Sequence, residues 1–133
     1  MTWIVAYIAA AVAFAALDAV WLQWAAGNLY RPLIGSIMAK DFRTGAAFAF
    51  YLIYIAGIVW FAIRPGLEAE SVGTALLNGA LLGGLCYVTF DLTNQTVVKV
   101  WATRISIADI AWGAFATAVA AGAATWVTLK LAS

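Results

Sequence analysis

The stretch Gly79–Asn94, GALLGGLCYVTFDLTN, sets the fold class of the whole chain. Gly79 and Gly83 stand four residues apart in an apolar run, which is the spacing of close helix–helix contacts in membranes. Asp91 and Asn94 follow at a spacing that puts both side chains on one helical face. A charged residue at the centre of a membrane costs roughly 2.5–3.5 kcal/mol, so such residues usually have a function. The stretch therefore predicts a membrane helix that carries part of a polar site.

The composition agrees with a membrane protein. Of the 133 residues, 66% are hydrophobic and 10% are charged, whereas a soluble domain carries about 25% charged residues. The formal net charge is +1 and no basic block occurs, which argues against a nucleic-acid partner. The absence of histidine excludes His-ligated haem and the usual zinc and non-haem iron sites, so no metal or other cofactor is expected.

Four long apolar stretches predict four transmembrane helices. Each has about the 20 residues that cross the hydrocarbon core as a helix. Their apolar runs are continuous rather than alternating, which favours helices over the strands of a barrel. We therefore predict an all-α membrane protein in which residues 1–133 form a single integral membrane domain, with spans at about residues 2–26, 44–63, 72–98 and 105–129.

The chain has two prolines, and both lie close to predicted connections. Pro32 stands near the first position of a helix, and several of the apolar residues that follow it share one helical face. This pattern predicts a short interfacial helix in the first loop, between the first and second spans. After the second span, Arg64-Pro65-Gly66 predicts a turn.

Basic residues are unevenly divided between the two sides of the membrane. Five lie in the first and third loops and two lie on the opposite side, namely Arg31, Lys40, Arg43, Lys99 and Arg104 against Arg64 and Lys130. The positive-inside rule therefore predicts that both basic loops are cytoplasmic and that both termini lie outside the cytoplasm.

Three of the six acidic residues, Asp18, Asp91 and Asp109, lie inside predicted spans. With a helical rise of about 1.5 Å per residue, they come about 8 to 12 Å from the cytoplasmic ends of their helices. Three helices thus bring a carboxylate to one layer, and Tyr51 of the second span reaches the same layer. This convergence predicts a small polar pocket in the cytoplasmic half of the membrane.

Trp21 and Trp112 each follow one of these aspartates by three residues, and they either wall the pocket or fill the core. The plainest alternative to a site is that the polar residues only cross-link the helices. Serine, threonine or asparagine would do so at less cost, which favours a site. Catalytic roles cannot be assigned, and the residues expected to bind a ligand or a proton are Asp18, Asp91, Asn94, Asp109, Trp21, Trp112 and Tyr51.

Four motifs stand in order along nearly the whole chain: Leu17-Asp18-x-x-Trp21-Leu22, Tyr30-Arg31-Pro32-x-Ile34-Gly35, Phe90-Asp91-Leu92-Thr93-Asn94 and Asp109-Ile110-Ala111-Trp112-Gly113. Together they resemble a family of small four-span bacterial membrane proteins that is catalogued as a domain of unknown function. Members usually have tyrosine where this chain has Phe90. The resemblance implies a four-helix fold in the bacterial inner membrane and favours a lipid-related substrate, but it implies no activity.

Three functions fit these residues. The first is binding or transport of a cationic or amphipathic small molecule, linked to a proton on the acidic layer, as in four-helix exporters of cationic drugs. The second is a membrane enzyme that acts on a lipid or isoprenoid, although no serine or cysteine triad is available without histidine. The third is an assembly subunit of a membrane complex. The expected partners are the lipid bilayer, the small molecule and a second copy in a homodimer.

Overall fold

The computed structural model describes residues 2–39 and 43–132; Lys40, one of the basic residues behind the predicted orientation, lies outside them. Within these residues the chain is helical and contains no strand. Four helical segments are long and apolar enough to cross a membrane, at Thr2–Ile37, Thr44–Glu68, Val72–Val97 and Thr103–Ala132. The prediction of an all-α membrane protein with four spans is therefore confirmed.

The first two spans are interrupted helices, and the last two are continuous. The first consists of α1 (Thr2–Ala25), a π-helical turn (Ala26–Tyr30), α2 (Arg31–Ile34) and a 3-10 turn (Gly35–Ile37). The second consists of α3 (Thr44–Ile58), a π-helical turn (Val59–Ile63) and α4 (Arg64–Glu68). The third span is α5 (Val72–Val97) and the fourth is α6 (Thr103–Ala132).

Both π-helical turns come directly before an Arg-Pro pair. Proline has no N–H to donate, and its ring collides with the carbonyl four residues earlier in a regular helix. The backbone widens instead, because the Arg31 N–H bonds the Ala26 carbonyl and the Arg64 N–H bonds the Val59 carbonyl, each five residues back. The wider turn accommodates the proline ring, and a single α-helical turn follows it.

The predicted turn at Arg64-Pro65-Gly66 is therefore wrong. The helix continues through these residues to Glu68, five residues beyond the predicted end of the second span. The chain turns instead at Glu70, whose φ of 50° is left-handed, and Ser71 caps α5 by accepting a hydrogen bond from the Thr74 N–H at 3.1 Å. A serine cap of this kind is typical of helix starts.

The short helix expected in the first loop corresponds to α2, which is only four residues long and continues the helical segment Thr2–Ile37 rather than standing apart from it. Trp21 Nε1 donates to Tyr30 Oη at 3.1 Å, although nine residues of straight helix rise about 13.5 Å and end on the opposite face. The π-helical turn between them therefore changes the course of the helix, in direction or in rotation, enough for the two side chains to meet. The segment that includes this turn buries Leu29 and Ile34 near Ile105, at the start of α6.

The helix α6 lies at the centre of the bundle, packed closely against α5 and α1. A Cβ on Gly83 would overlap the Gly113 carbonyl and come within 2.7 Å of Thr117 Cβ. A Cβ on Gly79 would lie 2.9 Å from Ala118 Cα. The glycine spacing seen in the sequence thus marks the line along which α5 and α6 touch.

The second span packs into the bundle from Ile55 onward, where its buried residues lie, namely Ile55, Ile58, Ala62, Ile63 and Gly66. Before Ile55 it contacts the bundle through Tyr51, Leu52 and Tyr54. Residues 43–50 are exposed along their whole length, so α3 leans away from the other helices towards the first loop. This end of the bundle, which carries the first and third connections, is called the open end below.

Adjacent glycines of α5 allow a matched test of this packing. Gly83→Ala places a methyl group against the α6 backbone at Gly113, and it should lower the free energy of unfolding by about 1–3 kcal/mol. Gly84→Ala is the control, because its Cβ would meet Ala114 Cβ at an ordinary 3.9 Å and alanine favours a helix by about 1 kcal/mol. Thermal unfolding of the purified protein in detergent measures both variants. Equal melting temperatures for the two would contradict the close contact at Gly83.

Candidate functional site

Three buried carboxyl groups from three helices lie at the open end of the bundle. Asp18 of α1 is 8% exposed, Asp109 of α6 is 4% exposed and Asp91 of α5 is fully buried. Asp18 stands seven residues before the end of α1, Asp91 six before the end of α5, and Asp109 six after the start of α6. The carboxyl groups therefore form one layer, called the acidic layer below.

A phenol holds the first of these carboxyl groups. Tyr51 Oη of α3 donates a hydrogen bond to Asp18 Oδ2. Phe14 lies one turn before Asp18 and packs against the Tyr51 ring edge-on, with 6.0 Å between ring centroids. Tyr51 stands at the point where α3 begins to lean away, so the Tyr51–Asp18 bond joins the open end of α3 to α1.

A second phenol, that of Tyr30, holds the carboxyl group of Asp109. Tyr30 Oη donates to Asp109 Oδ1 and accepts the hydrogen bond from Trp21 Nε1. Trp21 stacks on Trp112, with ring centroids 4.9 Å apart and planes inclined by 7°. The two tryptophans thus cover one another's faces and form a wall beside Asp109. The π-helical turn Ala26–Tyr30, which departs from straight α-helix geometry, brings Tyr30 to this position.

Asp91 is different, because within the described residues no donor reaches either of its carboxyl oxygens. Its carboxyl group lies within interaction range of Asp109. Two carboxyl groups form a hydrogen bond only when one of them carries a proton. The nearby Ser106 Oγ contacts the backbone carbonyl of Asp91 at 3.4 Å and leaves the side chain untouched.

In the part of the chain that the structure describes, no basic side chain forms an ion pair with the acidic layer. Arg64 pairs with Glu68 at 3.2 Å, at the opposite end of the bundle. Lys99 and Arg104 lie near the open end, but both are exposed and neither pairs with an aspartate. Nor does any cluster of side chains within residues 2–39 and 43–132 have the composition of a metal site. Within the described residues, which leave out Lys40, the acidic layer therefore has no basic partner.

The lean of α3 opens a groove on each of its sides. One, called the aromatic groove below, has a volume of about 400 Å³ and lies between α3 and α5, where it is lined by Phe50, Tyr54, Cys86, Tyr87 and Phe90. The other, of about 490 Å³, lies between α1 and α3 and is lined by Ala15, Ala19, Leu22, Gln23, Ala26 and Tyr51. Both grooves open sideways from the bundle rather than enclosing a chamber.

The structure brings together most of the residues expected at the site, and separates one. Asp18, Asp91, Asp109 and their partner Tyr51 lie in or beside the layer, and the two tryptophans form its wall. Asn94 does not join them: its Nδ2 donates to the Phe90 carbonyl of its own helix at 2.9 Å.

Two residues of the site were missing from the sequence-based set, Tyr30 and Tyr87. Tyr30 belongs to the Tyr-Arg-Pro motif, which indicated a helix start and not a contact with Asp109. The Tyr87 hydroxyl lies within electrostatic range of Asp18, Asp109 and Tyr51. The sequence could have indicated Tyr87, because it stands four residues before Asp91 on the same helical face.

The chain matches a known protein family over nearly its whole length. Residues 3–126 match a family described as "Predicted membrane protein (DUF2177)". No curated protein and no solved structure matches the chain. The match covers nearly the whole chain and confirms the resemblance to a membrane family of unknown function. The chain therefore belongs to the DUF2177 family of predicted membrane proteins.

Proposed function

We propose that this protein binds a cationic or amphipathic small molecule at the acidic layer in exchange for a proton, and carries it within or across the bacterial inner membrane. The observation that carries the proposal is Asp91, which is fully buried and has no described partner for its carboxyl oxygens other than the carboxyl group of Asp109. A buried polar group without a partner costs about 1–3 kcal/mol, and an unpaired charge costs more. Such a group persists where its partner is a ligand.

The two neighbouring carboxyl groups favour exchange over permanent pairing. Asp18 and Asp109 are each held by a phenol, so Asp91 is the member of the layer that is free to change its partner. A proton neutralises Asp91 when no ligand is bound, and a cation neutralises it when one is bound. Because one group serves both, the proton and the cation compete.

The geometry of the open end favours a ligand that arrives from the bilayer. Both grooves flank α3 and open sideways, next to the acidic layer. A ligand with an apolar part and a cationic head can therefore reach the carboxyl groups without crossing the bundle. Amines and quaternary ammonium ions are the simplest cations of this kind.

A membrane enzyme acting on a lipid or isoprenoid is the second candidate. The Tyr30–Asp109 and Tyr51–Asp18 pairs favour it, because a carboxyl group bonded to a phenol can pass a proton to a substrate. An assembly subunit, or a homodimer, is supported by the exposed residues 43–50 of the second span. The lipid profile of cells with and without the gene separates the enzyme from the carrier, and a co-purifying partner would favour the subunit.

Proton exchange has a direct test with a permanently charged probe, dodecyltrimethylammonium, which has no proton of its own to release. Added to the purified protein in weakly buffered detergent solution, it should release about one proton per bound cation. Its affinity should fall as the pH is lowered, because protons compete for the same carboxyl group. A pH-sensitive dye and equilibrium binding at two pH values measure both effects.

Asp91→Asn should abolish the proton release and leave the fold intact, since an asparagine amide can still hydrogen-bond the Asp109 carboxyl group, the one described side-chain partner of Asp91. Glu70→Gln is the matched control: this exposed carboxylate at the opposite end should have no part in binding. Binding that is independent of pH and unchanged in Asp91→Asn would refute the proposal.

The proposed orientation puts the open end and its acidic layer on the cytoplasmic side. A variant that lacks the native Cys86 allows a test by single cysteines at exposed positions on the two ends, Ala39→Cys and Glu70→Cys. A maleimide that cannot cross the inner membrane should label Glu70→Cys in intact cells, and Ala39→Cys only after the cells are opened. The reverse pattern would place the acidic layer in the outer half of the membrane.

A further inference from the structure

The tyrosines that line the aromatic groove contact one another and the rest of the bundle. Tyr54 Oη shares a hydrogen bond of 2.7 Å with Thr117 Oγ1 of α6, so the hydroxyl is satisfied inside the bundle while the ring lines the groove. Phe50 stacks on Tyr54 with 5.2 Å between ring centroids and 18° between planes. Tyr87 meets Tyr54 edge-on at 6.4 Å. Four aromatic rings and one thiol, that of Cys86, thus surround the space.

Tyr87 connects this groove to the acidic layer. Its ring fills the space left by the missing side chain of Gly113, because a Cβ there would overlap the ring. Its hydroxyl lies within electrostatic range of Asp18 and Asp109. The groove is therefore apolar along its lining, and Tyr87 separates it from the acidic layer, with its ring at the groove and its hydroxyl near Asp18 and Asp109. An apolar groove beside acidic groups suits an amphiphile with a cationic head.

We infer that the ligand of the acidic layer carries a single hydrocarbon chain, which lies in the aromatic groove while its cationic head reaches Asp91. The inference rests on the proposed function and adds the chemical class of the ligand. Charge complementarity supports it, since the layer is acidic and no described basic residue pairs with it.

The size of the groove favours one chain rather than two. Its volume of about 400 Å³ is near the lower end of the roughly 300–1,000 Å³ of ligand pockets. The second groove lies on the other side of α3. A two-chain lipid would have to straddle this helix at the point where Tyr51 bonds Asp18. A single-chain amine or ammonium ion fits without breaking that bond.

Cys86 makes the groove directly measurable, because it is the sole cysteine of the chain and lines the groove. The rate at which N-ethylmaleimide alkylates Cys86 should fall several-fold when dodecyltrimethylammonium is added to the purified protein. Tetramethylammonium has the same head without the chain, so it should release protons at high concentration but leave the alkylation rate unchanged. In Asp91→Asn, dodecyltrimethylammonium should no longer protect Cys86.

The outcomes separate this inference from the proposed function. Proton release by dodecyltrimethylammonium without protection of Cys86 would overturn the groove assignment and leave the acidic site standing. Loss of both responses would overturn the proposed function as well. Dodecanol has the same chain and a neutral head. If it protects Cys86 equally, or if dodecyltrimethylammonium still protects Cys86 fully in Asp91→Asn, then any hydrocarbon chain fills the groove, and the proposed contact between the cationic head and Asp91 is overturned.

A matched pair of phenylalanines tests the lining itself. Phe50→Ala removes one wall of the groove, so the concentration of dodecyltrimethylammonium that gives half-protection should rise several-fold. Phe48→Ala is the control, because Phe48 lies on the same helix, is 65% exposed and does not line the groove. Proton release by tetramethylammonium should be the same in both variants. An equal effect of the two substitutions on protection would overturn the assignment of the chain to this groove.

Discussion

The contact between α5 and α6 at Gly83 and Gly113 is the constraint on which the rest of the structure depends. Because Gly83 has no side chain, α5 approaches the backbone of α6, and because Gly113 has none, the Tyr87 ring fits beside it. This register sets Asp91 next to Asp109. A polar site inside a membrane needs such rigid support, since its carboxyl groups favour neither packing nor insertion.

Two π-helical turns interrupt the first two spans, and each allows a path of the chain that a regular α-helix would not. The π-helical turn before Arg31 ends at Tyr30 and brings its hydroxyl to Asp109. The corresponding turn before Arg64 lets the second span continue past Pro65 to Glu68. Turns of this type often mark functional positions in helices. Here the first serves the acidic layer directly, and the second lies in the half of its span that packs against the bundle.

The number of spans could be predicted from the sequence, because it follows from apolar length, and so could the common level of Asp18, Asp91 and Asp109 along the bundle, because it follows from helical rise. The glycine line on α5 was also visible, since packing in membranes selects small residues at fixed spacing. The contact of Tyr30 could not be predicted, because it depends on the π-helical turn and on the packing of this segment near α6. The lean of α3 was equally hidden, since residues 44–50 have the same apolar composition as a buried helix.

The Tyr51–Asp18 bond couples the contents of the layer to the shape of the protein. It ties the exposed half of α3 to the bundle, together with a bond of 2.9 Å from Tyr7 Oη to the Leu52 carbonyl. A group that displaced Tyr51 from Asp18 would remove one of the hydrogen bonds that hold α3 to α1. By thermodynamic linkage, binding at Asp18 and a displacement of α3 would then influence one another reciprocally. The same phenol therefore belongs both to the acidic layer and to the attachment of α3.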